Sequence, residues 1–137
     1  MMLDCIMSID DDDATNFYNQ TIIKRLNIIK DHLVYDDAEK ALTYLSQPSE
    51  EIKVPDLILL DINMPKVNGW DFLDKYVANG FDKKFDKTKI IVITTSNNPS
   101  DLMKVEKYDC VAGLENKVID PEKIKNLFSN YFGYSFT

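Results

Sequence analysis

Carboxylates, hydroxyls and one ammonium recur in this sequence at the same kind of place, just after an apolar run. Cys5-Ile6-Met7-Ser8-Ile9 runs into Asp10-Asp11-Asp12-Asp13, Leu57-Ile58-Leu59-Leu60 into Asp61, and Ile90-Ile91-Val92-Ile93 into Thr94-Thr95-Ser96. Lys117 follows a weaker apolar stretch near 111–115. Carboxylates brought together repel and raise one another's pKa unless a cation neutralises them. A hard divalent ion does this, and Mg²⁺ suits the set because it takes a few oxygen ligands and retains several waters. Asp61 can then stay ionised and attack phosphorus as a carboxylate nucleophile, forming an acyl phosphate. A Thr hydroxyl, backbone N–H groups and the Lys117 ammonium would meet the charge developing on the phosphoryl oxygens. Singly each signal is ordinary: an Asp run often caps a helix, a Thr after a strand is usually a turn hydroxyl, and a lone Lys is usually solvated. Two of the four residues in the Asp run must face solvent, since only alternate or adjacent side chains can point inward. The shared position of these groups along the chain carries the inference.

The elements that must bring them together are legible as an alternation. Apolar runs and stretches of helical period follow one another five times along the chain. After the first run, Phe17, Ile22, Leu26 and Ile29 are expected to share one helix face, with Asp13 or Thr15 as the N-cap. A short strand is expected over 32–35. Ala38, Ala41, Leu42 and Leu45 then fall at i, i+3, i+4, i+7, the pattern of an amphipathic helix. The polar stretch 47–55 reads as a loop, and four consecutive apolar residues at 57–60 suit a strand buried on both faces. Gly69 opens a helix carrying Trp70, Leu73, Tyr76 and Val77, and the charged segment around 81–85 reads as a loop. Pro99 and Pro121 each suit the first turn of a helix, where the missing N–H costs nothing. Ile124, Leu127, Phe128 and Tyr131 repeat the amphipathic spacing. Alternating β and α units imply a parallel sheet with helices on both faces. In such open sheets, sites form outside the carboxyl ends of the strands, where the four groups above lie.

Composition bounds the rest. The chain has 137 residues, 45% hydrophobic and 28% charged, which fits one globular domain over 1–137 with no effector domain. The formal charge of −7 argues against autonomous nucleic-acid binding, which needs a basic footprint. No apolar run approaches the length of a membrane span, and the start lacks a signal-peptide pattern, so a cytoplasmic location is expected. Cys5 and Cys110 sit in apolar stretches, read as buried free thiols. His32, the single histidine, is expected on a strand away from the site, as a structural residue.

Over nearly its whole length the sequence resembles the receiver domain of two-component response regulators. The motifs that carry this are Ile9-Asp10-Asp11-Asp12, Leu59-Leu60-Asp61-Ile62-Asn63-Met64-Pro65 with Asn68-Gly69, Ile93-Thr94-Thr95, and Lys117. The Leu-Leu-Asp-x-x-Met-Pro-x-x-x-Gly stretch is highly specific. The resemblance implies a flavodoxin-like (βα)5 fold, strand order 2-1-3-4-5, and a stand-alone receiver like the chemotaxis regulators. It implies that Asp61 is the phosphoacceptor, and that Asp10, Asp11, Asp61 and the Asn63 backbone carbonyl hold Mg²⁺, Asp10 through water. Thr94 would be the switch hydroxyl and Lys117 the ion-pair partner, with Asn63 and Ser96 tuning the lifetime of the phosphoryl group. The donor would be a histidine kinase or phosphotransfer protein, and the recipient of the signal a downstream protein. That protein would meet the face of the fourth predicted helix, fifth strand and last helix, on a monomer or a weak phosphorylation-dependent dimer. Such a chain is a phosphoacceptor, not a turnover enzyme.

Two positions depart from the family pattern. Val118 follows the site Lys where the family has Pro, and a cis bond there would cost about 2.5–4 kcal/mol. Leu114 stands where the family has an aromatic switch residue, with Tyr108 nearby as a substitute. Two other functions compete with the leading one. A hydrolase of the haloacid dehalogenase type also uses an Asp nucleophile and Mg²⁺, but it needs a second Asp where Asn63 stands. A receiver-like scaffold that takes no phosphate would explain Leu114 and Val118 and leave the acidic pair, Thr94 and Lys117 unexplained.

Overall fold

The computed structural model describes residues 3–64, 66–95, 98–117 and 119–134. Five strands form one parallel sheet: β1 (Leu3–Ile9), β2 (Ile29–Tyr35), β3 (Leu57–Asp61), β4 (Lys89–Thr94) and β5 (Val111–Asn116). They lie in the order β2-β1-β3-β4-β5, as the resemblance implies. The helices between them are α1 (Asp13–Leu26), α2 (Ala38–Leu45), α3 (Gly69–Ala78), α4 (Phe81–Lys84), α5 (Pro99–Val105) and α6 (Pro121–Phe132). Period-2 alternation divides the inner strands between two cores. Met7, Ile9, Ile58, Leu60, Ile90 and Val92 pack with the buried faces of α2, α3 and α4 and with Val105 of α5. Ile6, Leu57, Leu59, Ile91 and Ile93 pack on the other side with α1 and α6. β3 is buried along all of its length, which is why it reads as an unbroken apolar run.

Local chemistry starts and stops these helices. Asp37, Asn68, Asn98 and Asp120 each cap a helix by accepting a backbone N–H, and Pro99 and Pro121 occupy first turns as expected. Ala38, Ala41, Leu42 and Leu45 are all buried, and so are Ile124, Leu127 and Phe128, so both amphipathic readings hold.

Four expectations need correction. First, the buried face of α1 is Asn16, Asn19, Ile22 and Ile23, whereas Phe17 is 72% exposed and Ile29 belongs to β2. Hydrophobic periodicity placed Ile22 and Leu26 correctly against the core and failed in the first turns, because the half of α1 nearest the strand ends buries polar residues. Second, its N-cap is Asp12, not Asp13 or Thr15, and its side chain bonds the Thr15 hydroxyl instead of a backbone N–H. Third, the segment around 81–85 is not a loop. It forms α4, because Phe81 and Phe85 extend an aromatic ladder from Phe72 and Tyr76, with successive centroids 5.8, 5.6 and 5.5 Å apart. Fourth, β2 starts at Ile29, three residues before the expected strand. On α3, Leu73 and Tyr76 are buried as the helix reading implies, and Val77 lies at the edge of that face, 41% exposed. Of the two thiols, Cys5 is fully buried and Cys110 partly so.

Candidate functional site

The carboxyl ends of β1, β3 and β4 meet at the middle of the sheet, and β5 delivers Lys117 beside them. Register fixes this: Ile9 lies opposite Leu60, Asp61 opposite Ile93, and Thr94 opposite Asn116. Asp10 and Asp61 are both buried, at 5% and 3% exposure, while Asp11 is exposed. Each of the three can bring one carboxylate oxygen within 4.8 Å of the other two. Of the Asp run, Asp11, Asp12 and Asp13 are exposed and Asp10 is buried; Asp11 alone of the exposed three joins Asp10 and Asp61 in the carboxylate cluster.

Lys117 reaches into this cluster. Its Nζ stands 2.9 Å from Asp10 Oδ2 and 3.5 Å from Asp61 Oδ2. The Lys117 backbone N–H donates to the Thr94 carbonyl at 2.9 Å, which ties the segment after β5 to the end of β4. Thr94 itself is fully buried at the strand end. Val118, Ser96 and Pro65 lie outside the described residues, so the departure at Val118 and the lifetime position at Ser96 have no structural account.

The loop after β3 folds back on Asp61. The Asn63 N–H donates to Asp61 Oδ1 at 3.1 Å, the Ile62 N–H to the Ile93 carbonyl, and the Gly69 N–H to the Ile62 carbonyl at 3.0 Å. Gly69 is required by this closeness. A Cβ there would lie 2.8 Å from the Asp61 carbonyl oxygen and 2.6 Å from Ile62 Cδ1. The glycine spaced eight residues from the Asp thus lets the start of α3 press against the acceptor strand. Leu114 packs partly buried against the core. So does Tyr108, whose hydroxyl donates to Asp74 at 2.6 Å and whose ring stacks on Trp70.

Electrostatics follow from the geometry. Burial pushes the Asp61 carboxyl up to about 6, and the Asp10 carboxylate adds to it; the Asn63 N–H and Lys117 oppose the shift. Burial pulls the Lys117 ammonium down, and its bond to Asp10 with the charges of Asp10 and Asp61 more than offsets this, holding it above its ordinary value. The donor set is all oxygen, compact and carboxylate-rich, which fits a hard divalent cation and not a soft one. Asn16 is the residue that periodicity missed: its amide Nδ2 donates to the Asp10 carbonyl at 2.8 Å from the buried face of α1. Among the sequence signals, only an Asn standing where an apolar residue belongs pointed to it.

A doubly wound parallel sheet with an acidic pair, a buried Asp and a Lys at its switch point defines a class of phosphate-handling α/β domain, and comparison with known proteins narrows it. The family model of the response regulator receiver domain matches residues 6–129. The chain belongs to that family, whose members take a phosphoryl group onto an aspartate in two-component signalling. Response regulator Rcp1 from Synechocystis is 30% identical over 100 residues, a stretch covering 72% of this chain and 66% of Rcp1. A two-component response regulator from Cytophaga hutchinsonii superposes with a TM-score of 0.85 at 28% identity, covering 98% of this chain and all of that one. The Mn²⁺-bound form of Rcp1 shares the fold, with a TM-score of 0.76 at 24% identity over 98% of this chain and 97% of that one.

Proposed function

We propose that Asp61 is the phosphoacceptor of this receiver and that Asp10, Asp11, Asp61 and the Asn63 backbone carbonyl hold Mg²⁺. The observation that carries this is the convergence of Asp10, Asp11 and Asp61 with the Lys117 ammonium at the end of β3. The Mn²⁺ bound by Rcp1 is consistent with a divalent ion at such a cluster. The bound ion would supply charge neutralisation for the carboxylates and the transferring phosphoryl oxygens. The residues do the rest. An Asp61 carboxylate oxygen attacks phosphorus, the bond from phosphorus to the donor's leaving group breaks, and an acyl phosphate forms. Lys117 meets a phosphoryl oxygen with its ammonium, and Thr94 offers its hydroxyl from the end of β4. Asn63 cannot transfer a proton, so the chain lacks the second acid of a dehalogenase-type hydrolase and acts as an acceptor without multiple turnover on small esters.

The donor is the phosphohistidine of a histidine kinase or phosphotransfer protein, and the signal passes to a downstream protein through the face formed by α5, β5 and α6. The receiver works in the cytoplasm, as one domain over 1–137, as a monomer or a weak phosphorylation-dependent dimer. Borohydride reduction of the phosphorylated protein, followed by peptide mapping, tests the acceptor. Homoserine at position 61 is expected; modification at Asp10 or Asp11 instead would overturn the assignment.

A further inference from the structure

The half of α1 nearest the strand ends turns polar side chains inward, and one of them grips the metal pair from behind. Asn16 is 7% exposed, and its Nδ2 donates to the backbone carbonyl of Asp10 at 2.8 Å. A carbonyl oxygen only accepts, so the amide nitrogen must be the end that faces it, and the orientation of the side chain is fixed. Its Oδ1 is then left buried with no hydrogen-bond partner. A leucine at this position would incur no such cost, and the far half of the helix does bury apolar residues, Ile22 and Ile23, while Asn19 beside Asn16 is polar as well.

The bond spans the turn that carries Asp11. Asp10 follows Ile9, the last residue of β1, α1 starts at Asp13, and the Asn16 N–H closes the first helical turn onto the Asp12 carbonyl at 3.0 Å. The side chain of Asn16 therefore ties the residue just past the strand to the first turn of the helix, with Asp11 between them. The Asp10 carboxylate is held as well, by the Asp12 N–H on Oδ1 at 2.9 Å and by Lys117 on Oδ2 at 2.9 Å. Asp11 is exposed, and it sits on that turn with a carboxylate oxygen within 4.8 Å of those of Asp10 and Asp61. The geometry points to Asn16 as a positioning residue for divalent-cation binding: it fixes the Asp10-Asp11 turn so that both carboxylates face Asp61. This rests on the reading that Asp10 and Asp11 hold the ion.

The test is the affinity of the intact chain for Mn²⁺, read from the electron paramagnetic resonance signal of the free ion, with thermal unfolding measured in parallel. Asn16→Leu keeps the branched shape, adds some bulk and removes the donor, and Asn16→Ser is too short to reach the Asp10 carbonyl. Each folded variant is expected to bind Mn²⁺ about tenfold to a hundredfold more weakly than wild type, the range seen when a partner behind a metal ligand is lost. An affinity within about twofold of wild type in either folded variant would overturn the inference. Loss of folding in both would also overturn it, by making Asn16 a residue of stability alone. Wild type that holds no Mn²⁺ would contradict the proposed function itself, a separate failure.

Discussion

Around Asp61 three carboxylates face one ammonium, leaving two negative charges in excess in a partly buried site. A divalent cation balances that excess, and the lysine alone does not. Under the proposed function Lys117 has a narrower task, to meet one phosphoryl oxygen, beside its ion pair with Asp10. Lys117→Met keeps the stem and drops the charge. Phosphoryl uptake from acetyl phosphate should slow by about a hundredfold, the usual scale for losing one preorganised charge-stabilising donor; an unchanged time course would refute that role. His32 carries a different pH dependence. Burial holds its imidazole down to about 4, with Nε2 2.8 Å from the Ser8 hydroxyl. The unfolded chain takes a proton there near pH 6.5, so between about 6.5 and 4 the unfolded state binds more protons. The stability contributed by neutral His32 is complete above pH 6.5 and is lost as pH falls towards 4, by up to about 3 kcal/mol. Urea denaturation at pH 7 and pH 4.5 should show this loss in wild type and a smaller one in His32→Gln.

At the level of elements, what the sequence displays depends on whether an element's burial follows its apolar residues. α2 and α6 do, and their faces are legible to the residue. α1 does not: it buries Asn16 and Asn19 and exposes Phe17, because its inner face serves a polar site at one end and an apolar core at the other. α4 escaped notice for another reason. Phe81 at its start and Phe85 just past its end are separated by charged residues, and their burial, with Phe81 against Tyr76 and Phe85 against Phe81, shows that both turn inward. Phe85→Ala should therefore behave as a core truncation and cost about 3–5 kcal/mol, measured by denaturant unfolding, where a loop residue would cost almost nothing. The site was more legible than its support. Asp10, Asp11, Asp61, Thr94 and Lys117 all stand at or just past strand ends, where chain order alone puts them. The Asn16 amide behind Asp10 was less legible, because it depends on which residues of α1 turn inward, and hydrophobic periodicity does not show that for polar side chains. Gly69 belongs to both groups. Gly69→Ala would drive a methyl into the Asp61 carbonyl, so the loop after β3 must shift. The variant is expected to lose about 1–3 kcal/mol and to take up phosphate more slowly than wild type.

For the whole molecule, charge and topology limit what the domain can touch. A net charge of −7 disfavours nucleic acid, and no helix among the described residues is long and apolar enough to cross a membrane. A divalent ion bound only by the folded form should stabilise the entire domain. At a hundredfold excess over its dissociation constant, Mg²⁺ is expected to add about 2.7 kcal/mol, reversed by chelation and visible as a rise in melting temperature. In the sheet β3, which ends in Asp61, is joined through β4 to β5; under the proposed function, a change at Asp61 has a packed route to the face of α5, β5 and α6. The central claim is chemical, and intact-mass measurement tests it most directly. The protein is incubated with acetyl phosphate and Mg²⁺, as wild type and as Asp61→Asn. One added phosphoryl group on wild type, absent without Mg²⁺ and absent from Asp61→Asn, is the predicted result. An adduct that persists in Asp61→Asn, or none on wild type with any phosphodonor, would contradict it.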